Sequence, residues 1–151
     1  MSTPIGLSLP IAQSRTAILT CMDDRIDPMS LLRLNPGEAH VIRNAGGRAT
    51  EDAIRSLVVS TTVLDKVEIL VIHHTGCLMG WITNDQLREL ARRRSDIDVS
   101  SVDFLAFTDL NGSVREDVSK IANSPLIDKD IVVTGFVYDL SAGQLQEICS
   151  V

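Results

Sequence analysis

Two apolar runs in this 151-residue chain each end at side chains of the kind that bind metals, and no other feature restricts the fold as much. Ala17-Ile18-Leu19 leads into Cys21, and residues 67–72 lead into His74 and Cys77. Short apolar runs bounded by polar segments read as buried strands. Both clusters then fall just past the C-terminal ends of strands, the edge at which open α/β sheets bind ligands. Two parallel neighbouring strands would bring two thiols and one imidazole to a single point.

The rest of the chain alternates between strand and helix signals. Asp27-Pro28 reads as an N-cap followed by proline at the first helical position, starting a short helix through Leu34 that Asn35-Pro36-Gly37 ends. Residues 40–43 form a second strand, stopped by Asn44-Ala45-Gly46-Gly47. Thr50-Glu51-Asp52 then opens a helix to about Leu64 with acids in its first turn. Two capping boxes, Thr83-x-x-Gln86 and Ser113-x-x-Glu116, start helices reaching about Arg93 and Ala122. Residues 104–107 are a candidate short strand and residues 131–138 a clear one. Ser141-Ala142-Gly143 supplies a turn from which residues 144–148 return as a hairpin partner. The expected fold is α/β, with a mostly parallel central sheet flanked by helices and closed by a C-terminal hairpin. Its 44% apolar content suits one domain over residues 1–151, with residues 1–14 as an N-terminal arm.

A net charge of -6 and a pI near 4.9 argue against nucleic acid or anionic membrane as a partner, because both select for excess Lys and Arg. Arg92-Arg93-Arg94 at the end of a predicted helix reads as a solvated face that complements the helix dipole. No apolar run approaches the roughly 20 residues needed to span a bilayer. The first ten residues lack the charged and apolar regions of a signal peptide, so a cytoplasmic location is expected. Three cysteines in such a chain favour metal binding or reactivity over a disulfide framework. Cys149 has no His or acidic motif beside it and reads as a small hydrophobe. His40 and His73 lack motif partners and read as structural, with proton shuttling as the alternative.

Cys21, His74 and Cys77 suit one zinc ion per chain. Zinc takes sulfur and imidazole nitrogen readily, and three protein ligands leave a position for water. Two thiolates offset the metal charge and polarise that water less than three histidines would, which predicts alkaline-leaning activity. Zinc hydroxide as the attacking species needs a proton acceptor. Asp23 is the candidate: it either accepts a hydrogen bond from the water or ligates zinc itself and shuts the site. A bidentate grip by Arg25 would hold it off the metal. Asp24 reads as facing solvent or capping backbone. In the turn Asn44-Ala45-Gly46-Gly47-Arg48 the glycines would let backbone N–H groups approach an anionic product, and a plain strand-to-helix turn is the other reading.

Two other classes compete. A cysteine-nucleophile phosphate cradle would need arginine where Asp27 stands, and an acid there repels phosphate. A non-catalytic zinc-stabilised dimerisation or binding module would need Asp23 closed permanently on the metal as a fourth ligand.

The C-x-D-x-R run from Cys21 to Arg25, the segment Val41-Ile42-Arg43-Asn44-Ala45-Gly46, and H-x-x-C from His74 to Cys77 together resemble the β-class carbonic anhydrase family. The match runs in order over about residues 17–137. It implies Cys21, His74 and Cys77 as zinc ligands and Asp23 with Arg25 as the catalytic dyad. Asn44, Ala45, Gly46, Gly76 and Leu78 would line the substrate pocket. It further implies a homodimer or dimer of dimers with active sites near the interface. Many members carry a polar or small residue and then Gly around the second Cys; here Gly76 and Leu78 flank it. The arm is also short beside the long helical arms of larger members.

A leucine beside the metal implies a narrower, more apolar pocket, and some family members hydrolyse carbonyl sulfide to carbon dioxide and hydrogen sulfide. Carbon dioxide hydration and carbonyl sulfide hydrolysis share one chemistry, attack by zinc hydroxide on the carbon of a linear triatomic molecule. Neither substrate offers groups for directional recognition. Pocket width and apolarity must select, and a methylene-sized difference is worth only about 1–3 kcal/mol. Both substrates stay open.

Overall fold

Five strands, β1 (Thr16–Cys21), β2 (Ala39–Asn44), β3 (Glu68–His74), β4 (Val132–Asp139) and β5 (Gln144–Ser150), form one sheet in the order β2-β1-β3-β4-β5. The structure, a computed structural model, describes residues 15–63 and 68–151. The expected arm 1–14 and the predicted element ends at Leu64 and Val67 lie outside the described residues. Strands β1 to β4 run parallel and β5 returns antiparallel to β4 after the turn at Gly143, as the alternating pattern predicts. Strand β1 is interior, paired with β2 on one side and β3 on the other, with Thr20 opposite Ile72. Cys21 and His74 are therefore the last residues of adjacent parallel strands.

Side chains alternate across β1 and divide the core into two layers. Ala17 and Leu19 pack with Ile69, Val71 and Val133 beneath α2 (Glu51–Thr62) and the helix Leu110–Ala122. Ile18 faces the other way with Leu70 and Ile72, covered by Leu31, Leu32 and Leu34 from the segment around α1 (Pro28–Leu31). Helix α3 (Asn84–Ser95) has no buried residue and lies over the outside, and Leu110–Ala122 is α4. Arg92 and Arg93 near the end of α3 both pair with Glu89, which fits a solvated face. Among the described residues no helix is long and apolar enough to cross a membrane.

Local chemistry explains where elements begin. Thr50 caps α2 by accepting from Ala53 N, and Thr83 and Gln86 form the full reciprocal box at α3. The predicted box at Ser113 and Glu116 is not a helix start. Helix α4 begins at Leu110, capped by Asp109, whose Oδ1 accepts from Gly112 N at 3.0 Å. A Cβ at Gly112 would lie 2.5 Å from Asp109 Oδ2, so the glycine is what lets the aspartate fold over the first turn.

Residues 104–107 are not a strand. Leu105 is left-handed at φ 58, and side chains satisfy the segment's backbone: Asp103 accepts from Leu105 N, and Asn84 from Ala106 N. Helix α1 stops at Leu31 rather than Leu34. Arg33 turns left-handed at φ 55, while Leu34 N reaches Met29 O and Arg33 N reaches Ser30 O, the pair of bonds that closes a helix C-terminus.

Candidate metal centre

At the C-terminal edge of the sheet, Cys21, His74 and Cys77 each direct one ligand atom to a common point, with all three atoms within 4.8 Å of one another. β1 delivers Cys21 and β3 delivers His74. Gly76, left-handed at φ 67, turns the chain so that Cys77 comes back beside them. The two sulfurs are 3.9 Å apart.

His74 is fully buried, and its Nδ1 donates to Thr75 O at 2.8 Å, which leaves a lone pair on Nε2. That Nε2 is the buried side-chain nitrogen or oxygen without a hydrogen-bond partner among the described residues. An orphaned buried polar atom costs about 1–3 kcal/mol, so a site of this kind is built for something that takes the lone pair. The hydrogen bond from Cys77 pulls the Cys21 thiol down to about 4 against the upward push of burial, and the same sharing pushes Cys77 up. Burial pulls the His74 imidazole down, but Cys21, the Thr75 carbonyl and Asp23 outweigh it and leave the pKa raised. The two sulfurs and the imidazole nitrogen form a Cys2His donor set that fits zinc, whose binding needs deprotonated thiols.

Asp23 stands beside the ligands without joining them. Its Oδ1 accepts from Arg25 N and Nε, both at 2.9 Å, and its Oδ2 accepts from Arg25 Nη2 at 2.6 Å. The Arg25 guanidinium holds the Asp23 carboxyl well below the usual carboxylate range. Nη2 also donates to Gly76 O at 2.9 Å, tying this loop to the turn before Cys77. Asp23 Oδ2 lies 3.7 Å from His74 Nε2. Asp24 is exposed.

The wall around the sulfurs is apolar, made by Ile26 and Met79 with Ala45, Tyr138 and Leu140. The backbone of Gly46 adds to the pull that lowers the Cys21 thiol. Asn44 closes its own turn, accepting from Arg48 N at 2.7 Å and donating to Arg48 O at 2.8 Å. Gly76 is exposed, and Leu78, 62% exposed, lines an outer groove with Trp81, Ile82 and Leu90. The apolar wall against the ligands therefore comes chiefly from Met79, one residue further along.

Three residues that carry the site went unread in the sequence. Arg43 donates from Nε to Cys21 O at 2.9 Å and from Nη2 to Asp23 O at 2.7 Å and Ile26 O at 3.0 Å, stapling the loop that bears the dyad. Arg48 and Asp117 form a buried ion pair at 2.8 Å. Asp117 lies on the same buried stripe of α4 as Val114, Val118 and Ile121, and an acid on such a stripe signals a buried cation elsewhere.

His73 bridges Ser113 Oγ (2.8 Å), Gly47 O (3.1 Å) and Asp117 Oδ2 (3.1 Å), a structural role. His40 contacts Ser60 Oγ at 2.7 Å, and Cys149 packs half-buried against the core.

A parallel sheet that gathers a Cys2His set and an Asp–Arg pair at one edge defines a zinc-enzyme scaffold. Residues 16–145 match the carbonic anhydrase family model (Pro_CA), and the chain belongs to this family of zinc lyases and hydrolases. Beta-carbonic anhydrase 1 of Mycobacterium tuberculosis is 37% identical over 141 residues, covering 93% of this chain and 86% of that protein. The carbon disulfide hydrolase of Saccharolobus solfataricus is 33% identical over 157 residues, covering 88% and 76%. Among solved structures, the carbonic anhydrase of Streptococcus mutans matches with a TM-score of 0.89 at 45% identity, covering 92% of this chain and 84% of that one.

Proposed function

We propose that this chain hydrates carbon dioxide to bicarbonate, with one zinc held by Cys21, His74 and Cys77. The observation that carries the reading is the unpartnered His74 Nε2 beside two thiols, with the Asp23 carboxylate drawn aside by Arg25. When bound at three protein ligands, zinc lowers the pKa of a water and so supplies hydroxide near neutral pH. Asp23 orients that nucleophile by accepting a hydrogen bond on Oδ2. Because Arg25 holds its pKa so low, Asp23 does not store the proton, which passes on to solvent. Arg25 keeps the carboxylate from ligating the metal.

The apolar wall of Ile26, Ala45 and Met79 suits a substrate without polar handles and excludes competing water. In this reading Asn44, Ala45 and Gly46 form one side of the pocket, and Gly76 and Leu78 its mouth.

Hydrolysis of carbonyl sulfide, or of carbon disulfide as the Saccharolobus relative's name has it, is the second reading, favoured by that apolar wall and the 33% identity. A binding module is disfavoured, because three hydrogen bonds from Arg25 would have to break before Asp23 could serve as a fourth ligand. Carbon dioxide hydration and sulfide release from both sulfur substrates, assayed on one zinc-loaded preparation from neutral to alkaline pH, separate these readings. Faster carbon dioxide turnover is expected. Faster sulfide release would reassign the substrate, and inactivity toward all three would favour the binding module.

We further propose a homodimer or dimer of dimers in the cytoplasm. Trp81, 83% exposed beside Leu78 and close to Cys77, is an apolar surface that a second copy would cover, and a reducing compartment preserves the free thiols. Light scattering at micromolar concentration tests the assembly; a monomer would contradict it.

A further inference from the structure

We infer that Arg48 is a positioning residue for the metal centre, a buried guanidinium that locks the turn beside Cys21 to the turn beside Cys77. This rests on the reading of Cys21, His74 and Cys77 as zinc ligands.

Arg48 directly follows the 3₁₀ turn Ala45–Gly47, and its side chain is 4% exposed. It makes four hydrogen bonds in different directions. Nε and Nη2 reach Asp117 at 2.8 and 3.3 Å, Nη2 also reaches Glu116 at 3.1 Å, and Nη1 reaches Leu105 O at 2.6 Å. Apolar residues replacing the whole Arg48–Asp117 pair could fill such a space with little cost in stability. What they could not do is fasten the turn at residues 45–47 both to α4 and to the segment at Leu105.

On the Cys21 side the clamp acts through Gly47. His73 Nε2 lies 3.1 Å from Gly47 O and equally 3.1 Å from the Asp117 Oδ2 that Arg48 engages. Gly47 is left-handed at φ 66, and its Cβ position is 2.8 Å from Thr20 C and 2.9 Å from Cys21 N, so the turn is pressed against the end of β1. Its neighbour Gly46 packs against Met79, whose Cγ would lie 3.2 Å from a Cβ placed there.

On the Cys77 side the clamp acts through residues 105–107. The bond from Arg48 holds Leu105 in a conformation that costs a leucine roughly 1–2 kcal/mol. Two residues on, Phe107 lies 5.6 Å under the guanidinium, stacks on His73 at 5.9 Å, and donates its N–H to Met79 O at 3.0 Å. Met79 belongs to the 3₁₀ turn that Cys77 opens, closed by Gly80 donating its N–H to Cys77 O at 3.0 Å. One side chain therefore sets where the turns beside both sulfurs stand. Partners of metal ligands orient those ligands and tune the ion.

The test compares full-length wild type, Arg48→Lys and Ser113→Ala, each stripped of metal and titrated with zinc against a chromophoric chelator and with cobalt(II). Lysine keeps a charge for Asp117 but lacks the fork that reaches Leu105; alanine removes the hydroxyl beside His73 Nδ1 without exposing a charge. Both variants should bind zinc about tenfold or more weakly and should shift the cobalt–thiolate charge-transfer band, while circular dichroism at 10 °C stays that of the folded protein. A merely structural arginine would lower melting temperature and leave both metal readouts unchanged. Folded Arg48→Lys with wild-type zinc affinity and cobalt spectrum would overturn the inference. Should that variant not fold, Ser113→Ala decides by the same two readouts. Wild type taking up neither metal would instead overturn the zinc reading beneath it.

Discussion

Arg25 holds Asp23 by two side-chain hydrogen bonds of 2.9 and 2.6 Å, and the carboxylate so held lies 3.7 Å from the unpartnered Nε2 of His74. In the proposed function the pair acts as a gate, because the same carboxylate lies close enough to become a ligand once released. Arg25→Gln should keep one zinc per chain and lose turnover by about 10- to 100-fold, as Asp23 moves onto the metal. Asp23→Asn should also keep zinc and lose about 100-fold or more, with its orienting acceptor gone. Elemental analysis beside stopped-flow rates checks both, and full turnover in either variant would remove the gate.

Activity should rise with pH and have its midpoint above about 7, because two thiolates offset the charge that would otherwise acidify the water. Asp23 does not supply this rise, since its carboxyl is already ionised far below that range. A rate profile that is flat or falling between about pH 7 and 9 would count against the Cys2His assignment.

The buried Arg48–Asp117 pair makes a separate prediction about stability. Burial pushes the Asp117 carboxyl up, but His73 and Arg48 together pull it below its ordinary value. A depressed folded-state pKa contributes stability that is present above the unfolded value of about 3.9 and lost as pH falls through the folded value. Asp117→Asn should therefore be less stable than wild type by about 3–5 kcal/mol at neutral pH, with the gap closing below about pH 4. Thermal melts at a series of pH values measure it. A gap unchanged down to pH about 3 would mean Asp117 carries no such linkage.

Gly47→Ala should cost about 1–3 kcal/mol and lower zinc occupancy, because its Cβ would meet the backbone of Thr20 and Cys21 at 2.8 to 2.9 Å. Gly37→Ala is the matched control. Gly37 is also left-handed, at φ 91, but its Cβ would meet nothing within 4 Å, so that variant should be strained yet fully loaded with zinc. Equal zinc contents in the two would show that the turn does not position Cys21.

The sheet and the ligand set were legible because both rest on short-range patterns. Apolar runs ending at Cys21 and His74 mark strand ends, and the spacing from His74 to Cys77 is one tight turn. What escaped reading depends on contacts between distant segments. Ser113 and Glu116 spell a capping box, yet Ser113 donates to Leu110 O within the helix and Glu116 turns to Arg48. Residues 104–107 look like a strand by composition, but Asn84, Asp103 and Arg48 take up their backbone groups. Leu78 reads as a pocket wall from its place beside Cys77, while the 3₁₀ turn Leu78–Gly80 faces it outward and buries Met79. Arg43 and Arg48 stand inside segments the sequence singles out, but nothing local shows what their side chains do, because their partners are carbonyls and acids distant in the chain.

The most direct test of the central claim is a zinc titration of the metal-stripped protein with carbon dioxide hydration as the readout. Turnover should be absent without zinc and climb in proportion to a plateau at one zinc per chain. Turnover that ignores zinc, or none at full occupancy, would contradict the account.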